Sequence, residues 1–156
     1  MLIVKQAPTI IENLKKENTK IYPVAVQNLS TKEKTLYPTE NKTILIMWAT
    51  WCSPCKVEME RIQSSINDNK ISSDQVYAMN LFEDDHVSLR FIKKSKYRFN
   101  FLSQNKKLIQ DLGAKVTPTT YLFDRTSIKK ASSGISIIGI YQLENFLSST
   151  QKTSLK

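Results

Sequence analysis

The sequence predicts an α/β domain: a mixed β-sheet with helices on both faces. Three observations carry this. Strand-like and helix-like patterns alternate along most of the 156 residues. One run opens at Thr43 and stays apolar to Trp48, as a strand buried on both faces requires. After Thr119 come two short strand-like runs and a helical one, the pattern of a hairpin with a covering helix. The length fits one domain with a real core, and 40% hydrophobic residues argue against disorder.

The elements follow in order. Ile21 to Gln27 reads as a short strand, with Pro23 marking a sheet edge. Asn28 to Glu33 is turn-like, and Lys34 to Tyr37 is its expected partner strand. Pro38 to Lys42 is a polar turn before the central strand, Thr43 to Trp48. A helix is expected from Pro54, whose missing N–H costs little in a first turn, through Val57, Met59, Ile62 and Ile66, ending over Asn67 to Lys70. Gln75 to Leu81 reads as the next strand, Asp85 to Lys96 as a helix and Arg98 to Leu102 as a short strand. Lys106 to Leu112 is helical, with Gly113 as its stop signal. Thr119 to Phe123 is a strand, Asp124 to Lys129 a turn, Lys130 to Ser133 the return strand and Tyr141 to Ser149 a closing helix. Three segments result: a polar, helix-like extension or linker over 1–20, the domain over 21–149 and a frayed polar tail over 150–156.

Charge and apolar runs bound the function. The formal net charge is +9, from 23 basic and 14 acidic residues. The lysines are spread along the chain and no nucleic-acid motif accompanies them, so a solvated basic surface is expected and nucleic acid is not an expected partner. No apolar stretch approaches the roughly 18 residues of a membrane span. Met1 to Val4 is too short for the apolar region of a signal peptide.

Trp51-Cys52-Ser53-Pro54-Cys55 carries the chemistry. It follows the apolar strand directly and holds both cysteines of the chain. The two-residue gap suits one helical turn, so the sulfurs can meet in a small disulfide ring. An apolar strand running into a helix-opening C-x-x-C is the layout of a thiol–disulfide site. Cys52, at the expected helix start, gains from the unpaired N–H groups and the helix dipole, which favour a thiolate. It is assigned as attacking nucleophile, and the deeper Cys55 as the resolving thiol that releases the mixed disulfide. Zinc would need about four ligands, and only His86 could join the two cysteines. A purely structural disulfide would close too small a loop to add much stability. Neither a metal nor a cofactor is expected.

The stretch from Trp48 to Met59, WATWCSPCKVEM, resembles the active site of thioredoxin-fold proteins, and more narrowly the extracytoplasmic branch with TlpA, ResA and DsbE (CcmG). Val116-Thr117-Pro118-Thr119-Thr120 resembles the loop whose cis-proline faces the disulfide in that fold. The resemblance spans roughly Tyr22 to Leu147. It implies a thioredoxin-like fold, with Pro118 cis and Thr117 offering backbone hydrogen bonds to an incoming peptide. Trp51, Pro54, Thr117 and Pro118 are implied to meet the substrate, while Trp48 is expected in the core. Ile46 stands where thioredoxin keeps a buried aspartate. Glu83, in Asn80-Leu81-Phe82-Glu83, aligns instead with an acid of the ResA-like branch. Its implied role is proton exchange with the resolving thiol or tuning of the pair, and as a half-buried carboxylate near thiols it is expected to have a raised pKa. The alternative is that Glu83-Asp84-Asp85 caps the next helix. The sequence departs from the branch at Phe82, at Glu60 and at Leu102.

The resemblance implies a thiol–disulfide oxidoreductase acting on cysteine-containing proteins outside the cytosol, in the periplasm or its equivalent, with a redox partner protein. It implies a monomer, and it leaves room for a membrane tether beyond these residues. The reductase direction is favoured, since the segment between Leu81 and Phe99 is too short for a DsbA-like helical insertion. Alternatives are an oxidant, a non-enzymatic peptide-docking module and a copper carrier using His86, which is otherwise expected to face solvent.

Overall fold

The computed structural model describes residues 16–134 and 139–153. The polar helix expected over 1–20 falls, as far as residue 15, outside these residues, as does the end of the tail from residue 154.

A five-stranded mixed sheet in the order β5-β4-β3-β6-β7 forms the centre. Its middle strand is β3, Lys42–Trp48, every residue of which after Lys42 is buried. β4 (Val76–Asn80) runs parallel to β3 and β5 (Asn100–Leu102) parallel to β4; β6 (Thr119–Asp124) and β7 (Ser127–Ser133) complete the other side antiparallel. β1 (Val24–Gln27) and β2 (Lys34–Tyr37) form the expected hairpin. The hairpin is tied to the edge of β5 by backbone bonds from Leu29 N–H to the Phe101 carbonyl and from Ser103 N–H to the Gln27 carbonyl, each 2.8 Å.

β3 has no alternation because both its faces are covered. Ile44, Ile46 and Trp48 pack with Cys55, Met59, Ile62 and Ile66 of α1 (Ser53–Asn67) and with Leu143 and Leu147 of the closing helix. Leu45 and Met47 point the other way, toward Val26, Tyr37 and the two buried leucines of α3 (Lys106–Leu112), Leu108 and Leu112. The hydroxyl of buried Tyr37 is satisfied by Thr43 Oγ1 at 2.8 Å.

Several boundaries differ from the expectation for identifiable reasons. Val57 is exposed, because the buried stripe of α1 starts from Cys55 and recurs at three- and four-residue spacing, which turns Val57 outward. α2 (Asp85–Lys94) stops two residues early; Ser95 is extended and Lys93 and Lys94 fill the last turn, where cations suit the helix dipole. The turn after β6 is tighter than expected. Arg125 adopts a left-handed φ of 58°, so the chain reverses within Arg125-Thr126 and Ser127 to Lys129 already belong to β7. α3 ends at Gly113, whose φ of 61° is the left-handed stop that the sequence indicated. α4 (Ile140–Thr153) continues past the expected Ser149. Just before the expected start of the domain, Asn18 N–H donates to the Ile128 carbonyl at 2.6 Å and Ile128 N–H to the Thr19 carbonyl at 2.9 Å.

Candidate active site

Where β3 ends, the chain leaves the sheet through Ala49 and Thr50 and enters α1 at Cys52. Cys52 is the N-cap residue, in extended conformation, and Ser53 and Pro54 form the first turn. The Cys52 and Cys55 sulfurs are joined in a disulfide. The Cys55 N–H donates to Cys52 Sγ at 3.2 Å, so this sulfur occupies the place of an ordinary cap oxygen. A thiolate at Cys52 would therefore meet an N–H donor and the positive end of a 15-residue helix. Cys55 is fully buried and Cys52 slightly less so, at 0% and 3% exposure.

The second strand of the site comes from the antiparallel register of β6. Thr119 lies opposite Met47, so the residue before it, Pro118, falls at the end of β3 that leads into the cysteines. The Thr117–Pro118 bond is cis. The loop is held by Thr119, whose Oγ1 donates to the Val116 carbonyl at 2.8 Å, and by Gly134 N–H on the Pro118 carbonyl at 2.8 Å. Pro118 is buried, Thr117 half-buried and Val116 exposed. A second cis proline, at Tyr37–Pro38, begins what the sequence showed only as a polar turn.

Glu83 sits in the loop after β4 and braces the cysteine loop. Thr50 N–H donates to Glu83 Oε1 and Thr50 Oγ1 to Oε2, both at 2.6 Å, and Asn80 Nδ2 adds a third bond at 3.1 Å. Asn80 in turn accepts from the N–H groups of Phe82 and Glu83. Burial pushes the Glu83 pKa up, but the three hydrogen bonds together outweigh it and hold the carboxyl below its ordinary value. The raised pKa expected from the sequence is thus reversed in the disulfide form, because donors from Thr50 and Asn80 favour the charged carboxylate. The capping alternative is also corrected: the N-cap of α2 is Asp84, without a side-chain bond, and Asp85 accepts instead from the Ser103 hydroxyl and Gln104 N–H.

Trp51 is 64% exposed and stacks on Phe82, ring centroids 5.7 Å apart. Directly before Cys52, Trp51 with Phe82 forms an exposed aromatic pair. Trp48, as expected, is core, against Phe91 and Phe101. His86 is exposed. No group of three metal-ligating side chains occurs among the described residues. Three participants were not evident from the sequence. Phe82 looked like a departure, and only the fold shows it against Trp51. Thr50 has no local signal, since its partner is 33 residues away. Glu58 did carry one: it lies three residues past Cys55 and four before Ile62, in phase with the buried stripe. Its carboxylate is 1% exposed and paired with Arg61 Nη1 at 2.9 Å.

The AhpC/TSA family model matches residues 11–131. The sporulation thiol-disulfide oxidoreductase A of Bacillus subtilis is 31% identical over 98 residues, 60% of this chain and 59% of that protein. The thiol-disulfide oxidoreductase ResA of Oceanobacillus iheyensis is 29% identical over 135 residues, 78% of this chain and 69% of that protein. The crystal structure of StoA from Bacillus subtilis superposes with a TM-score of 0.65 at 26% identity, over 80% of this chain and 97% of that one. The match to the sporulation protein thus spans less than two thirds of that relative's length. The fold is thioredoxin-like, and the chain belongs to the AhpC/TSA family.

Proposed function

We propose that this AhpC/TSA-family protein is a thiol–disulfide oxidoreductase of the ResA-like kind, exchanging electrons with protein cysteines outside the cytosol. The observation that carries the reading is the Cys52–Cys55 disulfide set on a helix N-cap, with the Cys55 N–H aimed at Cys52 Sγ.

In the reducing direction the dithiol form acts. The Cys52 thiolate attacks one sulfur of a substrate disulfide, and the other substrate sulfur leaves as a thiolate and takes up a proton. Cys55, losing its proton, then attacks Cys52 Sγ. The second substrate thiol is released and the Cys52–Cys55 disulfide remains, two electrons having passed to the substrate. Trp51, Pro54, Thr117 and Pro118 present the docking surface, with the backbone of Thr117, before the cis bond, to pair with the substrate chain. Glu83 acts through Thr50, holding the loop that carries Cys52, and is a positioning residue. Glu58, buried one turn beyond Cys55, is the better placed carboxylate to receive the resolving thiol's proton. The protein works as a monomer on cysteine-containing substrates, is re-reduced by a partner protein and needs no bound cofactor.

The reduction potential of the pair tests the direction. Alkylation of the thiols in graded redox buffers at neutral pH is expected to give about −250 mV or lower, in the range of thioredoxin. A value near −120 mV, as for a strong oxidant, would reverse the direction. Cys52→Ser should abolish turnover while Cys55→Ser accumulates the mixed disulfide; unaltered function in Cys52→Ser would leave only a docking module.

A further inference from the structure

Along α1 the four-residue spacing of Cys52, Lys56 and Glu60 places these residues on one side of the helix. That side borders a cleft against the end of α2 and the segment leading to β5. The cleft is a shallow, open depression of about 400 Å³ lined by Lys56, Glu60, Phe91, Lys94, Lys96 and Tyr97. Its floor is aromatic: the rings of Phe91 and Tyr97 stack with centroids 6.2 Å apart and 14° between planes. Its rim is basic. Glu60 is the lone acid of the lining and is already engaged, accepting from Tyr97 OH at 3.1 Å and pairing with Lys96 Nζ at 3.1 Å. Lys56 and Lys94 are exposed, and among the described residues neither has an ion-pair partner.

We propose that this cleft binds an acidic segment carrying an aromatic side chain, supplied by the protein whose cysteines meet Cys52. An aromatic ring fits the Phe91–Tyr97 floor, and flanking carboxylates meet the uncompensated Lys56 and Lys94. The volume suits one large side chain and its neighbours. A recess with an apolar floor fits a peptide better than a flat lipid surface, whose headgroups would reach the lysines but leave the floor empty. Lys56 follows Cys55 directly in the chain, so the cleft begins beside the cysteine motif. The cleft thus selects partners by sequence beyond their cysteine. This inference rests on the thiol–disulfide reading.

The test uses the full chain carrying Cys52→Ser and Cys55→Ser, which binds without exchanging. The probe is a fluorescent, cysteine-free peptide with two glutamates on each side of one phenylalanine, followed by anisotropy. The peptide is expected to bind, and Lys94→Glu to weaken it at least about fivefold at low salt, with Lys94→Gln intermediate and about 0.5 M salt erasing most of the difference. Lys94 is exposed in the last turn of α2, so its replacement leaves the fold in place. No binding, or binding indifferent to Lys94→Glu, overturns the cleft. So does Lys94-dependent binding to phosphatidylserine-containing vesicles with none to the peptide, which would make the surface a membrane contact. Turnover of a small disulfide by the unmodified chain is measured in parallel. Turnover without peptide binding sinks the cleft alone; peptide binding without turnover sinks the exchange reading and leaves the cleft as a docking site.

Discussion

At the scale of single residues the site is governed by what meets each charge-bearing atom. Cys52 and Cys55 differ by one helical turn, yet only Cys52 stands at the cap, where an N–H donor faces its sulfur. Glu83 makes three hydrogen bonds that fix the loop before Cys52. Charge-assisted bonds of this kind are worth roughly 1.5–3 kcal/mol each, less where water competes, as it does at this half-exposed group. Glu83→Ala is therefore expected to lower stability by about 1–2 kcal/mol at neutral pH, read by chemical denaturation. The sign with pH follows from the lowered pKa. The contribution is fully present above the ordinary value of 4.5 and is lost as pH falls through the lower folded value. The gap between the two proteins should accordingly close in acid; a gap that widened there would show that the carboxylate is not stabilised as its contacts require.

At the scale of elements, short pieces depend on their ends. α3 has only seven residues and is too short to persist on propensity alone. Asn105 caps it, accepting from Leu108 N–H at 2.9 Å, and also donates to the Ala25 carbonyl at 3.0 Å, tying the helix to β1. Asn105→Ala should cost about 1–2 kcal/mol, seen as a lower thermal midpoint. Hydrogen exchange should quicken in α3 and β1 while α1 stays protected; uniform loosening across the sheet would contradict a local role. The contrast with α1 is instructive: it is longer, buries a full stripe from Cys55 to Ile66 and so holds the cysteines on a rigid support.

At the scale of the whole molecule the net charge of +9 acts at long range. Screening shortens the reach of surface charge from about 30 Å at 0.01 M salt to about 8 Å at 0.15 M. Exchange with an acidic protein substrate is expected to slow several-fold over that range, while the rate with a small neutral disulfide stays level. Equal salt dependence of both rates would mean that the charge serves solubility alone. The sheet order gives the site its other global feature. The cysteine loop follows β3 and the Pro118 loop precedes β6, and antiparallel pairing of these two neighbours brings the loops to one end.

Local, periodic signals were enough to place the apolar β3, the helix opening at the cysteines, the Gly113 stop and the hairpin from Val24 to Tyr37. The candidate redox pair was legible too, because a C-x-x-C after an apolar strand needs no neighbours to be read. Ranges moved where a local rule met a tertiary one, as at Val57, turned outward by the phase of the stripe, and at Ser127 to Lys129, drawn into β7 by the tight turn at Arg125. Tertiary structure alone decided what depends on distant pairs. The direction of the Glu83 shift depends on Thr50, the exposed aromatic pair on Phe82 meeting Trp51, and the basic cleft on residues from α1, α2 and the segment after it. A carboxylate's charge preference is the sum of burial and donors brought from elsewhere in the chain, and no local pattern records which donors arrive.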